Sequence, residues 1–252
     1  MQTLVKKQYE YTLAATYYAA DGTVLAKTQT KGICRYDRPK AINDKGQYVV
    51  DGEVVDPFFI YGAWDQFLEG YASVGIKFFR ARDKKLDTWD TDKLIEALDR
   101  AHSVGLKQII ALYSSRPAGH PFQIENTRRV VETVKDHPAV AGYLMMDEPS
   151  YAARGLFKSA KTYEEMHEYL VEGYKTIRDI DPVHPVINID TVEATSETIE
   201  MTSQVTDVFM IDSYPLSEKD IPIRMYTATS RVMGFLKEGH PFWTLGCQWT
   251  DT

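Results

Sequence analysis

The sequence predicts an α/β fold, most of a (β/α)₈ TIM barrel that follows the end of a β domain and stops before an eighth strand. Three observations favour this fold. The chain has 252 residues, strand and helix patterns alternate strictly from residue 57 onward, and polar or aromatic residues follow many of the strands. A length near 250 residues is typical of one such barrel, and a site assembled from many strand ends is its usual pattern.

The first part of the chain has the pattern of β structure. Residues 8–30 and 47–56 each contain an Asp-Gly pair between segments rich in Tyr, Thr and Val. Such pairs are typical of hairpin turns. No helical period occurs before residue 64. We therefore assign residues 1–47 to the end of an N-terminal β domain with its linker, and residues 48–252 to the barrel.

Seven apolar strand patterns follow, in alternation with helical ones. The predicted strands are Phe58–Tyr61, Gly75–Arg80, Lys107–Tyr113, Val140–Met146, Pro185–Ile189, Asp207–Ile211 and Phe242–Gly246. This alternation favours a parallel sheet with right-handed crossovers. An open doubly wound sheet would have a Gly-rich phosphate loop after its first strand, and the chain has none there. A barrel is therefore favoured, and we expect the chain to be cut before strand eight.

The helix that follows the fourth strand has a recognisable start. Thr162 and Glu165 form the Thr-x-x-Glu pattern of a capping box, and apolar residues recur behind it at helical spacing. In this pattern the Thr hydroxyl accepts a hydrogen bond from the backbone three residues later. We predict a helix that begins directly after Thr162.

Composition limits the partners and the chemistry. The formal net charge of −7 gives no electrostatic support for a nucleic-acid or anionic-membrane partner. Cys34 and Cys247 lie far apart in the sequence and suggest neither a disulfide framework nor a metal site, so we expect no metal and no cofactor. The N-terminus has no signal-peptide pattern. The sequence leaves the compartment open, and a secreted or periplasmic location is compatible with the full-length protein.

Glu148 is the best candidate for a catalytic residue. It follows an apolar strand and precedes Pro149, which ends the strand. A carboxyl group at the mouth of a barrel, shielded by aromatic neighbours, has a raised pKa that suits a general acid. The alternative interpretation is a capping or salt-bridged acid, paired for example with Arg116 or Arg154.

The segment His137-Pro-Ala-Val-Ala-Gly-Tyr-Leu-Met-Met-Asp-Glu-Pro149 resembles the fourth strand of retaining glycoside hydrolases of the large (β/α)₈ clan, in the style of family 2-like barrels. The resemblance covers residues 48–252, and the preceding strands resemble the end of the sandwich domain that often comes before such barrels. It implies hydrolysis of O-glycosidic bonds in a poly- or oligosaccharide, with Glu148 as general acid/base. Four other stretches match the pattern of this clan more weakly, and they occur along the chain in the order expected for it: Val50–Phe59, Ala72–Arg80, Asp212–Pro215 and Pro241–Trp243.

Two residues depart from the pattern of this clan. Asp147 stands where the clan usually has an Asn that contacts the sugar, and Gln248 stands where it has the Glu nucleophile at the end of the seventh strand. A neutral amide cannot form the glycosyl ester of a retaining mechanism. The alternative function is therefore a non-catalytic carbohydrate-binding barrel that has lost its nucleophile.

Three acids could replace the missing nucleophile: Asp190, Asp212 and Asp251. Asp212 follows strand six, where a loop cap is the alternative role. Asp190 follows strand five and shares a face with Asn188 by the period of two. The remaining candidates for substrate contact, with rim packing or ion pairing as their alternative roles, are Trp64, Arg80, Arg82, Tyr113, Tyr214 and Trp249.

Overall fold

The structure of the chain is a computed structural model that describes residues 10–33, 38–56, 59–82, 90–112, 124–151, 162–192, 194–213, 227, 229–230 and 242–246. The chain divides into two compact units, Met1–Asp37 and Arg38–Thr252. The unit that contains the barrel strands thus begins at Arg38, whereas the sequence analysis placed its start at residue 48.

The first unit contains an antiparallel hairpin. β1 (Glu10–Tyr18) pairs with β2 (Val24–Ile33). The turn between them uses the Asp-Gly pair, since the Asp21 carboxylate accepts a hydrogen bond of 2.9 Å from the backbone N–H of Thr23. Gly22 has a φ of +85°, a conformation that glycine adopts without steric cost. The first hairpin expected from the sequence is therefore present.

The second unit opens with a small hairpin of β3 (Val49–Val50) and β4 (Glu53–Val54). A seven-stranded sheet follows, in which the strands lie side by side in chain order and every neighbouring pair is parallel. The seven strands predicted from the sequence are confirmed, with differences of a few residues at their ends. They are β5 (Phe59–Ala63), β6 (Phe78–Ala81), β7 (Lys107–Ala111), β8 (Val140–Asp147), β9 (Val186–Thr191), β10 (Val208–Ser213) and β11 (Phe242–Gly246).

Helices connect these strands, and their sequences explain where they start. The hydroxyl of Thr162 accepts a hydrogen bond of 3.2 Å from the backbone of Glu165, which confirms the predicted start of that helix. Asp90 caps another helix in the same way through the backbone of Lys93. The described helices are α1 (Leu68–Ser73), α2 (Thr91–Ser103), α3 (Ile124–Val134), α4 (Pro149–Tyr151), α5 (Tyr163–Ile180) and α6 (Ser196–Ser203).

The sheet curls into an incomplete barrel. The Tyr61 hydroxyl on β5 lies 2.8 Å from Asp147 Oδ2 on β8, although β6 and β7 lie between these strands. Three strand intervals of a flat sheet would separate the two backbones by about 14 Å, too far for a tyrosine and an aspartate to meet side by side. The contact therefore requires the inner faces of β5 and β8 to turn towards each other.

The inner face of the curled sheet is apolar at its N-terminal end. Phe78, Ile109, Leu144, Ile187, Ile189, Val208 and Met210 form one buried cluster there. Ala41, Ile42 and Tyr48 join the same cluster, and the Tyr48 hydroxyl donates a hydrogen bond to the carbonyl of Ala141. The segment before β3 therefore closes the amino end of the barrel, and polar side chains gather at the carboxyl end.

A buried acid organises the loop between α5 and β9. The Asp181 carboxylate is 1% exposed and accepts hydrogen bonds from the Tyr143 hydroxyl at 2.7 Å and the Val183 amide at 2.8 Å. The ring Nδ1 of His184 lies 2.8 Å from the same carboxylate. Burial alone would raise the pKa of Asp181, but the contacts with His184 and Tyr143 outweigh burial and lower it. This loop is thus held through a single ionised carboxylate.

Candidate active site

Strand register determines which side chains reach the barrel interior. On β10, Val208 and Met210 belong to the inner core, whereas Phe209 and Ile211 pack on the outer face with residues of α6 and its preceding loop. Successive residues of a strand point to opposite faces. Asp212, two residues beyond Met210, therefore lies on the inner face at the carboxyl end, where it is 4% exposed.

The same inner face brings Tyr61, Arg80 and Asp147 together. Tyr61 and Arg80 are register partners on β5 and β6, and the guanidinium carbon of Arg80 lies 5.0 Å from the centre of the Tyr61 ring. The Tyr61 hydroxyl donates to Asp147. An arginine over an aromatic face is held by a cation–π attraction. The three side chains therefore form one polar group at the carboxyl ends of three different strands.

Glu148 is the next residue in the chain after Asp147. It is half-buried, and its φ of +50° places its backbone in the left-handed region that non-glycine residues rarely adopt. Its backbone N–H donates to the carbonyl of Ile189 at 2.7 Å. Pro149 then begins α4, a position where proline suits a helix because no N–H is needed. We call Tyr61, Arg80, Asp147, Glu148 and Asp212 the rim cluster.

Asp190 lies on the other face of the sheet. Ile187 and Ile189 of β9 belong to the inner core, so Asp190 between Ile189 and Thr191 points outward. Its side chain is 0% exposed, and its carboxylate accepts hydrogen bonds from the Ser150 hydroxyl at 2.8 Å and the Thr191 amide at 2.9 Å. Asp190, one of the three acids proposed from the sequence as a replacement for the nucleophile, therefore lies on the face of the sheet opposite to that of Asp212.

The environment of Asp190 also changes its titration. Burial raises the pKa of Asp190 to about 7, against the hydrogen bonds from Ser150 and Thr191, which lower it. The nearby carboxylate of Glu148 adds to the increase, since two like charges disfavour each other. The two acids are therefore electrostatically coupled although the backbone of β9 separates their faces.

Two further candidates are exposed at the rim. Trp64 follows β5 directly and is 47% exposed. Arg82 follows β6, its backbone N–H donates to the carbonyl of Ala63 at 3.0 Å, and its side chain is exposed. Both residues are accessible from solvent at the carboxyl end of the sheet. The remaining candidates lie outside the described residues: Tyr113, Tyr214, Gln248, Trp249 and Asp251.

The sequence analysis did not single out Tyr61 or Ser150 for the site. Tyr61 was assigned to the first strand, but as its last residue before Gly62 it shares the inner face with Phe59. That period of two was a usable signal. Ser150 gave no signal, because its contact with Asp190 joins residues 40 positions apart.

Two negative findings concern the described part of the chain. Among its helices, none combines the length and the apolar character that crossing a membrane requires. Within the same residues, His, Cys, Asp and Glu side chains form no group of three or more that could hold a metal ion.

Comparison with known proteins rests on structure. No protein-family model matches the chain. A search of curated proteins also found no match. Among solved structures, a calcium-binding mutant of Bacteroides uniformis beta-glucuronidase 2 aligns with 94% of this chain at 11% identity and a TM-score of 0.54. Bacteroides uniformis beta-glucuronidase aligns with 92% at 14% identity and a TM-score of 0.53. A glycosyl hydrolase family 2 member from Bacteroides cellulosilyticus aligns with 94% at 14% identity and a TM-score of 0.51.

These neighbours are larger than the present chain. It covers 36%, 29% and 34% of their respective chains, which is about a third of their length. At identities of 11–14%, the similarity demonstrates the fold alone. The chain therefore has a barrel fold that is also found in glycoside hydrolases.

Proposed function

We propose that the chain contains catalytic residues of a glycoside hydrolase that cleaves O-glycosidic bonds in a poly- or oligosaccharide. One observation carries the proposal. Glu148 follows β8, and Asp212 is the second-last residue of β10 and lies on the inner face, so two carboxyl groups belong to one end of a glycosidase-like fold. Glycoside hydrolysis usually needs two carboxyl groups on either side of the scissile bond.

Glu148 serves as the general acid in this proposal. It gives its proton to the glycosidic oxygen as the bond from that oxygen to the anomeric carbon breaks. Asp212 is the second carboxylate, either attacking the anomeric carbon or taking a proton from the attacking water. The strands that carry these acids are two intervals apart, roughly 10 Å at the usual strand spacing. Carboxyl separations of about 5–5.5 Å accompany retention and about 6.5–9.5 Å inversion.

The rest of the rim cluster supplies substrate contacts. Asp147 and Arg80 offer a hydrogen-bond acceptor and several donors at the same end of the sheet, and Trp64, which lies outside the rim cluster, offers an exposed aromatic face for a sugar ring. A guanidinium group can donate hydrogen bonds to a sugar hydroxyl, and it binds a carboxylate more strongly through opposite charge and paired N–H donors. Because two of the structural neighbours are beta-glucuronidases, uronides belong among the substrates to be tested.

The carbohydrate-binding alternative keeps one specific observation in its favour. Gln248 stands where the clan resemblance expects the nucleophilic glutamate. A barrel without that acid would bind sugars through the same rim residues and hydrolyse none of them. Measurements of hydrolysis and of binding on the same ligands therefore distinguish the two functions.

The test uses the full chain with 4-nitrophenyl β-glucoside, β-galactoside and β-glucuronide, together with β-linked oligosaccharides. The variants are Glu148→Gln and Asp212→Asn, with Glu172→Gln on the exposed face of α5 as the matched control. We expect the wild type to hydrolyse at least one ligand. Glu148→Gln should lower kcat by about 10²–10⁴-fold, because an amide cannot deliver the proton, while calorimetric binding persists.

The possible outcomes test the two acids and the two candidate functions separately. Hydrolysis that survives Glu148→Gln would remove Glu148 from the mechanism. Hydrolysis that survives Asp212→Asn would require another second acid. Binding without hydrolysis in the wild type would establish the carbohydrate-binding alternative, and the control variant should match the wild type throughout.

A further inference from the structure

The segment that carries Glu148 is fastened to the end of β9 at two points. The Glu148 backbone N–H donates to the carbonyl of Ile189 at 2.7 Å. Two residues later, the backbone N–H of Ser150 donates to Asp190 Oδ1 at 3.3 Å, and its hydroxyl donates to Asp190 Oδ2 at 2.8 Å. Pro149 between these anchors restricts the chain further, because its ring fixes φ. Ile189 and Asp190 of β9 thus hold the two ends of the segment Glu148–Ser150.

The backbone conformation of Glu148 makes such anchoring necessary. A φ of +50° is costly for a residue with a side chain, and it persists where the surroundings leave no alternative. The direction in which a side chain leaves the backbone depends on φ and ψ. If Ser150 were released, Glu148 could return to an ordinary conformation, and its carboxyl group would leave its present direction.

We propose that Asp190 is the positioning residue for Glu148, and that it acts through Ser150 from the outer face of the sheet. The catalytic part of this inference rests on the proposed function. Asp190 is fully buried, and both of its carboxylate oxygens accept hydrogen bonds from Ser150. It therefore fixes the turn after Glu148 without contacting a substrate.

A second link extends this arrangement to the helical layer. The Ser150 hydroxyl lies 3.1 Å from the Thr198 hydroxyl on α6, and the Tyr163 hydroxyl on α5 donates to the Thr198 carbonyl at 3.0 Å. Two titratable groups among the described residues interact electrostatically with Asp190, namely Glu148 and Tyr163. Burial raises the pKa of Tyr163, and the charge of Asp190 raises it further. Asp190 is thus the point where the sheet and two helices meet the segment of Glu148.

The test compares Asp190→Ala, Asp190→Asn and Ser150→Ala with a control on the same strand. Asn188 is 0% exposed on the same outer face, and its amide donates to the Val205 carbonyl, away from residues 148–150. Asn188→Ala should therefore lower stability without moving Glu148. We expect Asp190→Ala and Ser150→Ala to lower kcat by about 10–100-fold with little change in KM, because small displacements of a catalytic group have costs of this size.

A double variant distinguishes an effect of Asp190 that acts through the position of Glu148 from an effect that is independent of Glu148. Asp190→Ala should cost almost nothing further in a Glu148→Gln background, since the group that it positions no longer transfers a proton. Asp190→Asn retains one acceptor, so its kcat should lie between those of the wild type and Asp190→Ala.

A readout without substrate keeps the two proposals distinguishable. Crystal structures of Asp190→Ala and Ser150→Ala should show residue 148 with negative φ, and amide hydrogen exchange at Glu148 should accelerate. If the wild type hydrolyses nothing, the proposed function fails and these structural measurements still decide the positioning role. A positive φ retained at Glu148 in both variants, or a kcat equal to that of Asn188→Ala, would overturn the inference.

Discussion

Tyr61 and Asp147 are joined by a hydrogen bond of 2.8 Å that connects the first strand of the parallel sheet to the fourth. Arg80, on the strand next to Tyr61, packs over its ring. Because Asp147 directly precedes Glu148, this bond connects the curvature of the sheet to the candidate active site. It is the contact through which a change on β5 would reach the segment after β8.

Tyr61→Phe tests this connection. The variant keeps the ring under Arg80 but removes the donor to the half-buried Asp147. We expect the free energy of unfolding to fall by about 1.5–3 kcal/mol, the usual contribution of a hydrogen bond to a charged group. Urea denaturation measures this loss. Tyr17→Phe on the exposed face of the first hairpin is the control and should leave stability unchanged.

Asp190 should make stability fall as pH rises from about 4 to about 7. Its folded pKa of about 7 lies above the unfolded value near 3.9, so the folded chain binds the extra proton between these values. The free energy of unfolding of the wild type, relative to Asp190→Asn, should therefore decrease from about pH 4 to about pH 7, by at most ~1.4 kcal/mol per pH unit. Thermal unfolding at a series of pH values measures this. A constant difference across that range would contradict the raised pKa.

Asp181 should behave in the opposite way. Its pKa is lowered in the fold, so its stabilising effect is present above the unfolded value near 3.9 and is lost as pH falls through the lower folded value. Asp181→Asn should cost about 2–4 kcal/mol at neutral pH, because Tyr143 and His184 lose a buried charged partner. Asp44→Asn at an exposed turn is the control. Equal stability of the two variants at pH 7 would contradict this account.

Gly142 should not tolerate a side chain. A Cβ atom at this position would lie 2.9 Å from the backbone carbonyl oxygen of Pro185, and backbone atoms cannot move away at low cost. We expect Gly142→Ala to destabilise the barrel by about 1–3 kcal/mol. Gly70→Ala on α1 meets nothing within 4 Å and should raise stability slightly, since alanine favours helices. Denaturant titrations of both variants test the contrast.

The sequence by itself determined the order and type of the elements. Apolar runs of strand length, such as Val140–Met146, cannot be exposed to water, and the helical spacing between them leaves a parallel sheet as the consistent arrangement. The capping pattern at Thr162 likewise located a helix start, because it depends only on residues close in sequence. Local patterns of this kind also placed Glu148 and Asp212 after parallel strands, and hence at one end of the sheet.

Only the tertiary structure decided on which face of the parallel sheet each acid lies. The period of two shows that Asn188 and Asp190 share a face, but it cannot say which face that is, because the answer depends on how β9 pairs and packs with its neighbours. That pairing places Asp190 outside, against Ser150, and Asp212 inside. The contact between Tyr61 and Asp147 likewise requires the sheet to curl, a property of packed strands that no local pattern encodes.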